Sequence, residues 1–113
     1  MLMPKPPIEI LNESIMYKKY LGEGDYNQPN YAEPIELLHV RIDRTPKYSF
    51  NAQGKQILHN AVVFCYQGLT TPFPDINAQD VLIFDNKEHV IESPSVFREP
   101  FDNAIYSYEL GVI

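Results

Sequence analysis

Residues 81–93, VLIFDNKEHVIES, constrain the fold of this chain more than any other stretch. Val81, Leu82, Ile83 and Phe84 form an apolar, β-prone run, and Asp85, Asn86 and Lys87 are residues that tolerate positive φ. The chain then alternates, with His89 and Ile91 on one face and Glu88, Val90 and Glu92 on the other. This is the pattern of a tight β-hairpin. Its first arm has too few polar positions for a strand facing water, so the hairpin is expected at the centre of a sheet that other segments complete.

Other runs supply those strands. Residues 14–21 place Ile15, Tyr17 and Lys19 on one face and Met16, Lys18 and Tyr20 on the other; with both faces mixed, this strand is expected near an edge, guarded by Lys18 and Lys19. In residues 35–43, Leu38, Val40 and Ile42 are expected to point inward and Leu37, His39, Arg41 and Asp43 outward. Residues 59–67 are the most apolar segment, with Val62, Phe64 and Tyr66 opposite Ala61, Val63 and Cys65, both faces covered; Phe64 and Ile83 are expected in the core. A closing strand over 104–113 sets Tyr106, Tyr108, Leu110 and Val112 against Ile105, Ser107 and Glu109.

The ten prolines fall between these runs rather than inside them, which marks the connections. Pro4, Pro6 and Pro7 stiffen an N-terminal arm over residues 1–11 that has room for at most one helical turn. Residues 21–34 and 44–56 read as long polar loops, 94–103 as a third connection, and in 68–80 Phe73 and Ile76 are expected to plug one end of the core. About six strands, loops of about ten residues and no helix-length apolar period predict one mainly β domain over 1–113, an antiparallel barrel or sandwich.

Chemistry is sparse. His39, His59 and His89 form no pair that presents two metal ligands from one element, and the single cysteine, Cys65, allows neither an internal disulfide nor a multi-cysteine metal site. Glu88 and Glu92 are expected on an exposed face, and Asp80, Asp85, Glu99 and Asp102 in turns, solvated or forming turn hydrogen bonds. No serine lies in a nucleophile elbow and no glycine-rich phosphate loop is present. These readings predict a non-enzymatic protein without cofactor or metal. The start lacks a basic region followed by a long apolar run, and no apolar stretch approaches the ~20 residues of a membrane span, so a protein made in the cytosol is expected.

With fifteen acidic and nine basic residues the net charge is −6, the wrong sign for a domain that holds nucleic acid by neutralising phosphates. That charge is unevenly placed. The 44–56 loop carries Arg44, Lys47 and Lys55 with no acid, whereas residues 21–36 carry Glu23, Asp25, Glu33 and Glu36 with no base. Oppositely charged loops suit head-to-tail contacts between copies of one chain. The basic loop also carries two aromatics, Tyr48 and Phe50, with no obvious core to join, which leaves an oligonucleotide-binding barrel as an alternative through base stacking.

The opening MLMPKPP, the segments YKKYLGEGDYNQPNYAEPIELLHVRID and NAVVFCYQGLTTPFP, the 81–93 hairpin and the ending REPFDNAIYSYELGVI resemble the small minor capsid proteins encoded in the head-to-tail gene region of tailed phages and prophages of low-GC Gram-positive bacteria. The likeness covers nearly the whole chain. It implies a virion component akin to the head-completion or stopper proteins of long-tailed phages, small β-barrels that form a ring beneath the portal and adaptor and join head to tail. The implied partners are other copies of the chain, portal or adaptor proteins and tail proteins, with packaged DNA touched through one loop. By position that loop is 44–56, and Arg44, Lys47, Tyr48, Phe50, Lys55, Glu23, Asp25 and Glu33 are the expected partner-binding residues. A tail-completion protein is the alternative within the same likeness.

Overall fold

In the computed structural model of the chain, Asp85 and Asn86 turn the backbone with φ of 54° and 61°, the two left-handed residues that a two-residue hairpin needs to match the twist of its strands. The structure describes residues 6–52, 54–100 and 103–113, without the side chains of residues 25, 47, 49, 51 and 55–59. A 3₁₀ turn at Ile8–Ile10 is the one turn of helix the N-terminal arm was expected to hold. It is followed by β1 (Glu13–Lys18), β2 (Tyr20–Glu23), β3 (Pro29–Tyr31), β4 (Ile35–Asp43), β5 (Lys47–Asn51), β6 (Gly54–His59), β7 (Ala61–Tyr66), β8 (Val81–Phe84), β9 (Lys87–Arg98) and β10 (Ile105–Val112).

Six strands close into a barrel in the order β1, β4, β7, β10, β9, β8, with β8 returning to β1. Every pairing is antiparallel. The 81–93 hairpin is the β8–β9 corner of this barrel. Closure overturns the edge position expected for the first strand: β1 lies between β4 and β8, Ile15 and Tyr17 are buried inside, and Lys18 pairs with Glu88 on β9 at 2.8 Å.

The interior combines small and branched side chains with three rings, Tyr17, Phe84 and Tyr108. Ala61, Val63 and Cys65 of β7 face Val40 and Ile42 of β4, with Leu82, Ile91, Tyr108, Leu110 and Val112 completing the core, and Ile76 and Phe73 close one end as expected. Phe64 and Ile83 were expected in this core and are instead half-buried on the outer side. Val63 pairs with the inward-facing Ile42 of β4, which sets Ala61, Val63 and Cys65 inside and turns Phe64 and Tyr66 outward. These two rings of β7 pack outside, Phe64 under the guanidinium of Arg41 and Tyr66 edge-on to Tyr106.

Strand β4 departs from the expected alternation. Leu37 is buried and Leu38 exposed, because His39 has φ of 62° and is skipped in the pairing of Ser14 with Leu38 and Glu13 with Val40. One extra residue reverses which face the preceding side chains occupy. The displaced backbone is held by Leu38, which exchanges two N–H to carbonyl hydrogen bonds with Thr71, and by the Thr70 hydroxyl, which donates to the His39 carbonyl at 2.7 Å. Residues 94–98, expected in a connection, continue β9. Pro94 is tolerated because it lies beyond the reach of β8, where β9 has only β10 beside it.

Candidate partner-binding surfaces

Strand β4 fixes where the two charged segments stand. The chain enters β4 from the hairpin β2–β3 and leaves it into the hairpin β5–β6. At ~3.3 Å per residue, the roots of these hairpins lie roughly 25 Å apart, at opposite ends of the barrel. The first spans most of the acidic segment and is a protruding hairpin, as expected. The second occupies the basic segment and is an ordered β-hairpin rather than the loop that its composition suggested. A glycine with φ above 100°, Gly22 in the acidic hairpin and Gly54 in the basic one, gives each a backbone angle that side chains disfavour. The radius of gyration, 15.3 Å, exceeds the ~13 Å expected of a globule this long, in keeping with two extensions.

At the acidic end the anchor is Asp80. It is only 1% exposed; of the two expectations for it, solvation or turn hydrogen bonds, the structure shows the second in its bond from the Asn77 N–H. Its Oδ1 accepts the Tyr20 N–H at 2.8 Å, and its Oδ2 accepts the Tyr17 hydroxyl at 2.7 Å and the Asn77 N–H at 2.9 Å. Lys19 approaches at 3.4 Å. A buried carboxylate is tolerable when several donors surround it. Here they tie the first residue of the acidic hairpin, the barrel strand beneath it and the β7–β8 connection to one point. Burial, and then Asp80 itself, pushes the Tyr17 phenol well above the usual tyrosine range, so it remains a donor. From this anchor the hairpin runs out to Tyr26, 93% exposed, at φ of 59°. Glu23 and Glu33 are exposed; the side chain of Asp25 lies outside the described set.

At the basic end Arg44 does not project with its hairpin. Its guanidinium grips Asp85 (Nε to Oδ2, 2.7 Å) and Glu13 (Nη2 to Oε1, 2.7 Å), each through two hydrogen bonds, and lies 5.9 Å from the Phe84 ring. These contacts hold the Asp85 carboxyl below its usual range. Arg44 therefore ties β1, β4 and the β8–β9 turn together, its charge met within the chain. Of the remaining predicted residues, Tyr48 and Phe50 sit two apart on β5, with Phe50 77% exposed. Lys47 and Lys55 belong to the backbone of the same hairpin, and their side chains lie outside the described set. Beside Arg44 opens a cavity of about 260 Å³, whose lining includes Asn60, Phe84, Asp85, Lys87 and His89.

Sequence reading therefore found both charged segments but not the cavity beside Arg44, nor Asp80 as an anchor. An acid placed immediately before the apolar 81–84 run was the one available signal for the latter. Among the described residues no three His, Cys, Asp or Glu come together as a metal-binding group, and no helix is long and apolar enough to cross a membrane. Cys65 is wholly buried and its thiol is pushed up to about 12 by burial, which keeps it protonated. No curated protein is found to match the sequence. A sequence model of the minor capsid proteins matches residues 7–112. With nearly the whole chain, barrel and both hairpins, inside that match, this chain belongs to the minor capsid protein family and has a structural role in the phage particle.

Proposed function

We propose that this minor capsid protein is a head–tail connector component of the head-completion, stopper-like kind, which forms a ring under the portal and adaptor and joins head to tail. The observation that carries the reading is the rooting of two oppositely charged hairpins at the two ends of one barrel strand. A closed barrel leaves little strand edge for assembly by sheet extension, so contacts between copies pass through the projections. Because the projections differ in sign, the acidic end of one copy meets the basic end of the next, and a head-to-tail contact of this kind closes into a ring when its rotation permits. Such a contact, polar and hairpin-borne, needs a preformed ring of docking sites to offset its association entropy. The portal and adaptor supply that template.

The test is charge reversal in particles. Lys47→Glu with Lys55→Glu should block ring formation, and reversing Glu23, Asp25 and Glu33 to Lys in the same chain should restore it. Arg44 is left in place, because its removal would break the Asp85 and Glu13 contacts inside the chain. If the basic-hairpin variant joins the connector normally while filled heads lose DNA, the hairpin serves the channel and not the neighbouring copy. Normal particles from both sets of reversals would overturn the reading.

A further inference from the structure

Strand β4 carries two leucines side by side where the barrel interior takes one. Leu37 is wholly buried opposite Ile15, and Leu38 is 42% exposed opposite Ser14. That choice depends on the bulge at His39, whose φ of 62° lies in the left-handed region that residues other than glycine hold at a cost. Beyond the bulge Val40 and Ile42 face inward. Plain alternation back from them would set Leu38 inside and need no bulge.

Without the bulge, β4 up to residue 38 moves one position along β1. Leu38 takes the place opposite Ile15, Leu37 the outer place opposite Met16, and Glu36 the place that Ile35 now holds opposite Tyr17. Each exchange is mild. One leucine replaces another in the core, Leu37 comes beside a half-buried methionine, and Glu36 reaches a position whose present occupant is 41% exposed, so its charge stays in water. What grips the bulge is the β7–β8 connection: Leu38 and Thr71 exchange backbone bonds of 2.9 and 3.1 Å, and the buried Thr70 hydroxyl donates to the His39 carbonyl at 2.7 Å. The same connection carries Asp80, which pins the root of the acidic hairpin through the Tyr20 N–H.

We propose that β4 is a two-register strand, bulged while the β7–β8 connection grips Leu38 and His39 and straight when that grip is released. Straightening pushes the start of β4 towards the acidic end by one residue, ~3.3 Å. The residue taken up by the bulge passes to the 32–34 connection, and the acidic hairpin reaches further from the barrel. Since one connection holds both the bulge and the hairpin root, whatever displaces it loosens both. The register change belongs to the free chain and stands apart from the connector reading.

The experiment introduces a charge at each leucine in the full chain and reads urea unfolding together with NMR contacts of the Ile15 side chain, which lies against Leu37 in the wild type. Leu37→Lys should fold with a cooperative transition and with Ile15 against Leu38, because β4 straightens and turns the new lysine outward. Leu38→Lys should keep the wild-type contact. The two together leave no leucine for the inner place and should abolish the transition, since a lysine would have to be buried. His39→Val, whose branched side chain resists positive φ, should lower the midpoint of the wild type and raise that of Leu37→Lys, a reversal of sign that a fixed register does not produce. Thr70→Val frees the His39 carbonyl and should show Ile15 contacts to both leucines in one sample. Leu37→Lys without a folding transition, or folded with Ile15 still against position 37, overturns the proposal. So does a folded double variant, or His39→Val acting with one sign in both backgrounds. The wild-type contact alone in Thr70→Val overturns the part given to the β7–β8 connection.

Discussion

Replacing Asp80 by alanine removes one side chain and strands several donors at once. The Tyr20 and Asn77 N–H groups lose acceptors at 2.8 and 2.9 Å, and as both bonds are only part-buried each unmatched donor costs about 1 kcal/mol, the low end of the range for buried groups. Tyr17 loses less, since its hydroxyl is also 3.0 Å from the Asp75 carbonyl and can turn to it. The Lys19 contact is long and its side chain partly exposed, so its loss costs about 0–1 kcal/mol. Relief of the buried charge offsets part of the sum. The expected net loss is about 2 kcal/mol, a sizeable share of the ~5–15 kcal/mol that holds a domain of this size together. With a urea slope of about 1.5 kcal/mol/M the midpoint should fall by about 1.3 M. Asp80→Asn keeps one oxygen but turns an NH₂ towards either the Tyr20 or the Asn77 N–H, so it should lie between wild type and alanine. Amide exchange supplies a second readout: Tyr20 and Asn77 should lose protection first, before the β7 and β10 amides, because the anchor joins the acidic hairpin to the barrel. A midpoint within about 0.5 M of wild type, with both amides still protected, would refute the reasoning.

Core substitutions follow from the barrel's two faces. Leu82→Ala should cost about 2–5 kcal/mol in urea unfolding, whereas Ile83→Ala, on the half-exposed outer face, should cost distinctly less; equal costs would mean the faces are misassigned. His89 is held below its ordinary pKa, first by burial and partly countered by the Phe84 backbone and by Asp85, with Lys87 adding to the depression. Its neutral form is therefore favoured on folding, and the stability it contributes is complete above the unfolded value of about 6.5 and declines as pH falls through and below it. His89→Gln should flatten the urea midpoint between pH 7 and 5, and an unchanged slope would contradict the assignment. Without portal and adaptor the protein should scatter light as a 13.1 kDa monomer; a large stable homo-oligomer would contradict templating.

Much of the barrel was legible because its signals are local. Asp85 and Asn86 announce a turn whose backbone needs two left-handed residues, and four apolar residues before them announce a buried arm. Most prolines mark connections, since the ring of proline removes a ladder donor, but Pro29 and Pro94 lie within β3 and β9. What escaped depended on distant partners. Alternation alone gives two faces of β7 and does not say which is inside; the pairing of Val63 with the inward-facing Ile42 of β4 decides for Val63 over Phe64. The reversal at Leu37 and Leu38 comes from a bulge at His39 that Thr70 and Thr71 hold in place from more than thirty residues away. Asp80 reads as a turn acid until Tyr17 and Tyr20 are brought to it. Of the surface, charge segregation was visible, but the opposed placement of the two hairpins follows from the order of strands around a closed barrel, and the internal neutralisation of Arg44 from the approach of Glu13 and Asp85.

Electron cryo-microscopy of the neck of assembled particles tests the connector role most directly. The expected result is a ring of six-stranded barrels beneath the portal and adaptor, each with its β2–β3 hairpin against the β5–β6 end of its neighbour. Finding this protein dispersed over the capsid shell would contradict it, whereas a neck ring whose hairpins do not touch one another would overturn the hairpin contact alone.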